Sequence, residues 1–188
     1  MRTMLKIISW IAAALFLLGL YFAENINGYY HFKKICTEEA GLNIYQPLTR
    51  DAGWFSEKNE ATYLLHFYPS IAFVRFTDEA QSLQDLVRTA EKNNSSDSGF
   101  RSRPADDFKQ PLYKFQKSIE EIPGRNRTTR FKTTVTNLQS GQISVAYQEF
   151  TYRIFSPDWG VSQGTTCSSL PHSDASLQST QPLQTAFQ

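Results

Sequence analysis

The chain has 188 residues, 40% hydrophobic and 20% charged, with 9 Gly and 8 Pro. That length suits one domain of ordinary size, and the composition excludes a collagen-like, coiled-coil or wholly disordered chain. A formal net charge of +1 leaves no global field to steer the protein to nucleic acid, so a partner of that class would need a local basic patch.

The first segment reads as a membrane anchor. Arg2 and Lys6 precede Ile7 to Ala23, which runs 17 residues without a charge. As a helix it spans roughly 26 Å, near the lower limit for a hydrocarbon core of about 30 Å. Trp10 and Tyr21 lie toward its two ends, where amphipathic rings favour the interface. One competing reading is a cleaved signal segment, which needs small residues at −3 and −1; Ala23 suits −1, but Tyr21 would stand at −3; a buried core helix is the other. The basic residues ahead of the span put the amino terminus in the cytoplasm and the chain from Glu24 onward outside it. Cys36 and Cys167 lie in that outer part without a CxxC or a Cys/His cluster, so they most simply pair as a disulfide. In the chain-entropy view the bridge contributes up to about 5 kcal/mol. The alternative is two buried thiols acting as small hydrophobes.

Asn27 and Gly28 are expected to interrupt the anchor. Tyr29, Phe32, Cys36 and Ala40 then share one helical face, and Gly41 stops that helix. Asn43 to Gln46 reads as a short extended piece ended by Pro47. Thr62 to Phe76, rich in aromatic and β-branched residues, reads as one or two buried strands broken at Pro69. Thr77 with Asp78 and Glu79 looks like a helix start, and Ala80, Leu83, Val87 and Ala90 recur at helical spacing, predicting a helix over 78–92. Asn93 to Pro111 is polar and without period, hence a long loop.

Period two follows. Tyr113, Phe115 and Ile119 share a parity, as do Phe131 and Val135, with Ser140 and Gly141 supplying a hairpin turn. Ile143, Val145 and Tyr147 fall on one parity but Phe150, Tyr152 and Ile154 on the other, which predicts a bulge near Gln148 and Glu149. Ser168 to Gln188, with Asp174 as its single charge, reads as a disordered tail. The expected fold is α+β: an N-terminal transmembrane helix, then a small antiparallel meander covered by one or two helices. The expected divisions are an anchor or signal segment over 1–26, an extracytoplasmic domain over 27–167 and the tail over 168–188.

Few chemical constellations are present. His31, His66 and His172 have no second ligand at metal spacing on the same element, and no GxSxG, SxxK, HExxH, P-loop or GxGxxG occurs. Neither a metal, another cofactor nor a catalytic set is therefore expected. Adjacent acids such as Glu120 and Glu121 point apart on a strand, so they form no acid/base dyad. Two surface features stand out. Arg125, Arg127, Arg130 and Lys132 crowd around Phe131, suiting a protein partner or anionic lipid, or else a charged edge that blocks sheet pairing. Trp54 and Trp159 sit in polar stretches as possible contact anchors, against satellite packing under a loop. A pocket near His66, lined by Tyr63 and Tyr68, is the rival small-ligand or enzymatic reading.

The segment FKKICTEEAGLNIYQP resembles an F-x-x-x-C-x-x-E-A-G-x-x-I-Y stretch found beyond the N-terminal hydrophobic helix of small uncharacterised membrane-anchored envelope proteins of proteobacteria. The resemblance covers about a fifth of the chain. It implies an envelope location and an α+β fold, and no activity. Residue pattern and resemblance together predict a single-pass protein of the bacterial inner membrane, amino terminus cytoplasmic and main domain periplasmic, or a secreted domain if the first segment is cleaved. The expected role is a non-catalytic accessory or interaction subunit, contacting lipid through residues 7–23 and an envelope protein through the domain. An anionic-lipid or nucleic-acid surface binder is a further alternative, with nucleic acid disfavoured.

Overall fold

One helix, α1 (Arg2–Glu38), carries the chain from the apolar segment into a nine-stranded sheet. The computed structural model describes residues 2–89, 99–122, 127–153, 164–171 and 181–188. The break expected at Asn27 and Gly28 does not occur. A glycine in a helix costs about 1 kcal/mol relative to alanine, but here it has a use: a Cβ on Gly28 would lie 2.3 Å from the Tyr152 hydroxyl. The missing side chain lets α1 close onto the sheet, where Phe32, Ile35 and Cys36 are buried. Gly41, at φ +118, turns the chain out of the helix as expected.

Among the described residues no helix is long and apolar enough to cross a membrane. The expected transmembrane span is corrected accordingly. Its 17 charge-free residues fall short of the roughly 20 that a bilayer core demands, and they continue into a helical half that belongs to the folded domain.

The expected antiparallel meander is present but is one part of a larger, mixed sheet. Strands β6 (Tyr113–Glu121), β7 (Thr128–Asn137) and β8 (Ile143–Arg153) pair in sequence, with Gly141 at φ +70 in the turn before β8. Beyond β6 lie β2 (Ala52–Phe55), β3 (Ile71–Thr77), β4 (Leu83–Arg88) and β5 (Phe100–Pro104). On the far side β8 pairs with β1 (Gly41–Ile44) and then with β9 (Gly164–Thr166). β2 runs parallel to both β3 and β6, because the helix α2 (Lys58–Phe67) returns the chain to start β3 in the same direction.

Two expected elements change type. The aromatic run over 62–76 is not strand throughout, since its first part completes α2. Ala61, Leu64, Leu65 and Tyr68 are buried at helical spacing, and a window opened at Thr62 leaves out the first turn that reveals it. The helix expected over 78–92 is, through residue 89, instead a turn and β4, and residues 90–92 lie outside the described residues. Asp78 does not sit in a first helical turn: its carboxylate accepts from the Ser82 amide at 2.8 Å, and Gln81 takes φ +61. Asp85 is buried with Arg75, its register partner on β3, through bonds of 2.7 and 3.0 Å. A buried acid on the face opposite the α2 core hides the alternation that marks a strand. Arg75 also donates to the carbonyls of Asp106 and Lys109, both at 2.8 Å. That ties down part of the stretch read as a free loop, another part of which is β5.

Nor is there a bulge at Gln148. β8 keeps regular register with β7 from Val145 to Tyr152, and the irregularity lies at Val135/Thr136. The change of parity marks a change of cover. Val145 packs in the core under α2, whereas Phe150 and Tyr152 pack with Phe32, Ile35 and Cys36 of α1.

The tail expected over 168–188 is corrected at its far end. Residues Pro182–Ala186 form a 3-10 turn that buries Leu183 and Ala186, and Phe187 pairs with Leu48. Three apolar residues suffice to dock a polar segment whose average composition resembles disorder. Trp54 stacks on Phe187 at 5.9 Å and is fully buried on β2, so it is the centre of the core and not a loop anchor. Cys36 and Cys167 are bonded, as expected, across 131 residues. The bond suits an oxidising compartment such as the periplasm.

Candidate functional site

The exposed end of the α2 face forms a concavity. Paired residues of neighbouring antiparallel strands share a face, which gives three successive rows across β6, β7 and β8. Phe115, Val135 and Val145 are core; Lys117, Thr133 and Tyr147 come next; Ile119, Phe131 and Glu149 follow. Burial declines along that series until Ile119 is 69% and Phe131 39% exposed. α2 and the 182–186 turn cover the first row and part of the second, leaving a cavity of about 470 Å³ bordered by Glu60, Tyr63, Tyr68, Pro182 and Leu183.

Charge in the cavity is partly paired. Lys117 Nζ donates to Glu60 Oε2 at 2.7 Å and lies 4.4 Å from the centre of the Tyr63 ring. Glu149 accepts from Tyr147 at 3.4 Å and from Ser168 at 2.9 Å. Burial, then contact with Tyr63, pushes the Tyr68 hydroxyl well above the ordinary tyrosine range. Tyr147 moves the same way, through burial first and Glu149 second. Both hydroxyls stay protonated at neutral pH and can donate to a ligand or to the protein.

The sequence-predicted residues scatter. Tyr63 and Tyr68 line the cavity; His66, on α2, does not, and is exposed edge-on to Phe67 at 4.8 Å and Phe100 at 6.5 Å. Arg130 lies on the α1 face. Its guanidinium sits 3.7 Å from Glu39, 3.6 Å from Glu120 and 5.7 Å from the Phe150 ring, so it clasps the end of α1 to the sheet. Lys132 pairs in register with Ser118 and Gln148, and alternation puts its side chain opposite the cavity even though its strand borders it. Arg127 takes φ +75 just ahead of β7. Arg130 and Lys132, two residues apart on β7, therefore share the face opposite the cavity. Arg125 and Trp159 lie outside the described residues. Sequence reasoning missed Lys117, Thr133, Tyr147 and Glu149. Their alternation along β6, β7 and β8 was visible, but the cover that turns a strand face into a cavity comes from α2 and residues 182–186, both misread.

Among the described residues no group of three or more His, Cys, Asp or Glu could hold a metal ion. Comparison with protein-family models, with curated proteins and with solved structures finds no match.

Proposed function

We propose that the protein is a membrane-docked accessory or interaction subunit without catalytic activity. Residues 7–23 contact lipid of the bacterial inner membrane, and the sheet faces the periplasm, where an envelope protein is its partner. The observation that carries this reading is the first half of α1. Ile7, Ile8, Trp10, Ile11, Leu15, Phe16, Leu17, Leu18 and Leu20 are all exposed. Four of these are consecutive, so at about 100° per residue the apolar surface surrounds the helix and forms no single stripe. Water is a poor solvent for such a surface and hydrocarbon a good one. The disulfide supports the compartment. Vesicle flotation tests the lipid contact: the full chain should rise with phosphatidylethanolamine/phosphatidylglycerol vesicles, and L17D/L18D should stay behind. Wild type remaining at the bottom of the gradient would overturn it. Mild detergent extraction tests the partner, with a stoichiometric companion expected; a chain extracted alone would count against an interaction role.

The cavity favours a second reading, a small-ligand site. Its volume of about 470 Å³ falls in the range of roughly 300–1,000 Å³ usual for ligand pockets. Aromatic walls with a few polar groups are the usual lining of such sites.

A further inference from the structure

The cavity already holds one organic cation of its own, and this inference rests on the small-ligand reading. Lys117 Nζ lies over the Tyr63 ring at 4.4 Å and the Phe115 ring at 5.6 Å, with the Glu60 carboxylate 2.7 Å away. An ammonium on π faces beside a carboxylate is the arrangement that recognises amines in general. One row further along the sheet the same components recur without a cation. Glu149 stands in register with Phe131 and beside Tyr147, and accepts only hydroxyl donors among the described residues. Four charged residues border the cavity: Glu60 and Lys117 are bound to each other, Lys132 projects to the opposite face by strand alternation, and Glu149 faces in. An anion would find no unpaired cation there and would meet Glu149.

We propose that this cavity binds a small organic cation, an amine or quaternary ammonium bearing an apolar group. Its charge lies against Glu149 and the ring of Phe131, and its apolar part against Tyr63, Tyr68 and Phe115. The exposed Ile119 extends the apolar wall at the mouth and leaves an entry path.

Calorimetric titration of the full, disulfide-intact chain in neutral detergent tests this with three probes of one shape class: benzyltrimethylammonium, benzyl alcohol and benzoate. The ammonium should bind about ten-fold more tightly than the alcohol, the size expected of a desolvated cation–π contact with a carboxylate partner, and benzoate should bind most weakly. Glu149→Gln keeps an acceptor for Tyr147 and Ser168, so it should fold with an unchanged melting temperature, bind the alcohol as before and lose the preference for the ammonium. Thr133→Leu, which fills the cavity floor, should weaken all three probes. Equal affinity for alcohol and ammonium overturns the cation inference while leaving a ligand site. No binding by any probe overturns both. A preference that survives Glu149→Gln, or ammonium binding that survives Thr133→Leu, places any cation elsewhere and overturns the inference.

Discussion

The two faces of the sheet are covered by different lengths of chain and held by different means. Under α2 and residues 181–188, sixteen buried residues form one cluster around Trp54, and no covalent tie is present there. Under the second half of α1 the buried cluster has six members, two of which are the bonded cysteines Cys36 and Cys167. The contrast teaches where the cross-link is needed. Apolar burial at about 25 cal/mol per Å² holds the large cluster unaided, whereas the six-residue cluster has a covalent tie built into it. The bond converts α1 from an attached helix into part of the domain. The opposite end of the same sheet face uses a third device, the buried Arg75–Asp85 pair, roofed by the 105–110 segment.

Mutations should separate these devices. The largest losses are expected from Trp54→Ala, about 3–5 kcal/mol from cavity formation, and from Asp85→Ala, about 3–5 kcal/mol because Arg75 would stay buried without its partner. Both should lower the urea midpoint of the whole domain, and a loss below about 1 kcal/mol for Trp54→Ala would remove the larger core from the account. Cys36→Ser with Cys167→Ser should cost about 2–4 kcal/mol, but locally. Amide exchange should accelerate in residues 29–38 and stay unchanged in β2 and β3, so equal acceleration in both would merge the two regions into one unit. Gly28→Ala should cost about 1–3 kcal/mol through overpacking against Tyr152. Adding Tyr152→Phe removes the nearest atom and should restore part of it, which a double-mutant cycle reads directly. Arg130→Ala should cost least, about 1 kcal/mol or less, because its ion contacts are 3.6 and 3.7 Å long and lie near solvent.

Legibility followed the same divide. The α1 face was readable: Tyr29, Phe32 and Cys36 repeat at helical spacing, Gly41 is a recognisable stop and two lone cysteines in an oxidising space pair. So was the meander, because β6, β7 and β8 alternate and turn at Gly141. The α2 face was not. α2 begins four residues ahead of the aromatic run that drew attention, β4 carries a buried aspartate where a strand pattern calls for an apolar residue, and Phe187 docks from a segment of Ser and Gln. Trp54 was misplaced for the same reason: AGWF is too short to show a period, and β2 is a strand because β3 and β6 flank it. Half of the cavity could be read from strand parity at Lys117, Thr133 and Tyr147. The other half depends on packing between distant segments, which composition and spacing do not encode. Hydropathy alone overstated the first segment, since it registers the 17 charge-free residues but not the continuation of one helix to Glu38.

The central claim is that α1 belongs half to the domain and half to lipid, and residue-resolved hydrogen exchange on the intact, oxidised chain tests it most directly. With phosphatidylethanolamine/phosphatidylglycerol vesicles present, both residues 4–20 and residues 29–38 should exchange slowly. Without vesicles, only 29–38 should remain protected. Equal protection of 4–20 in both conditions would show that protein, not lipid, covers the apolar half, and loss of protection in 29–38 would show that the disulfide does not join α1 to the sheet.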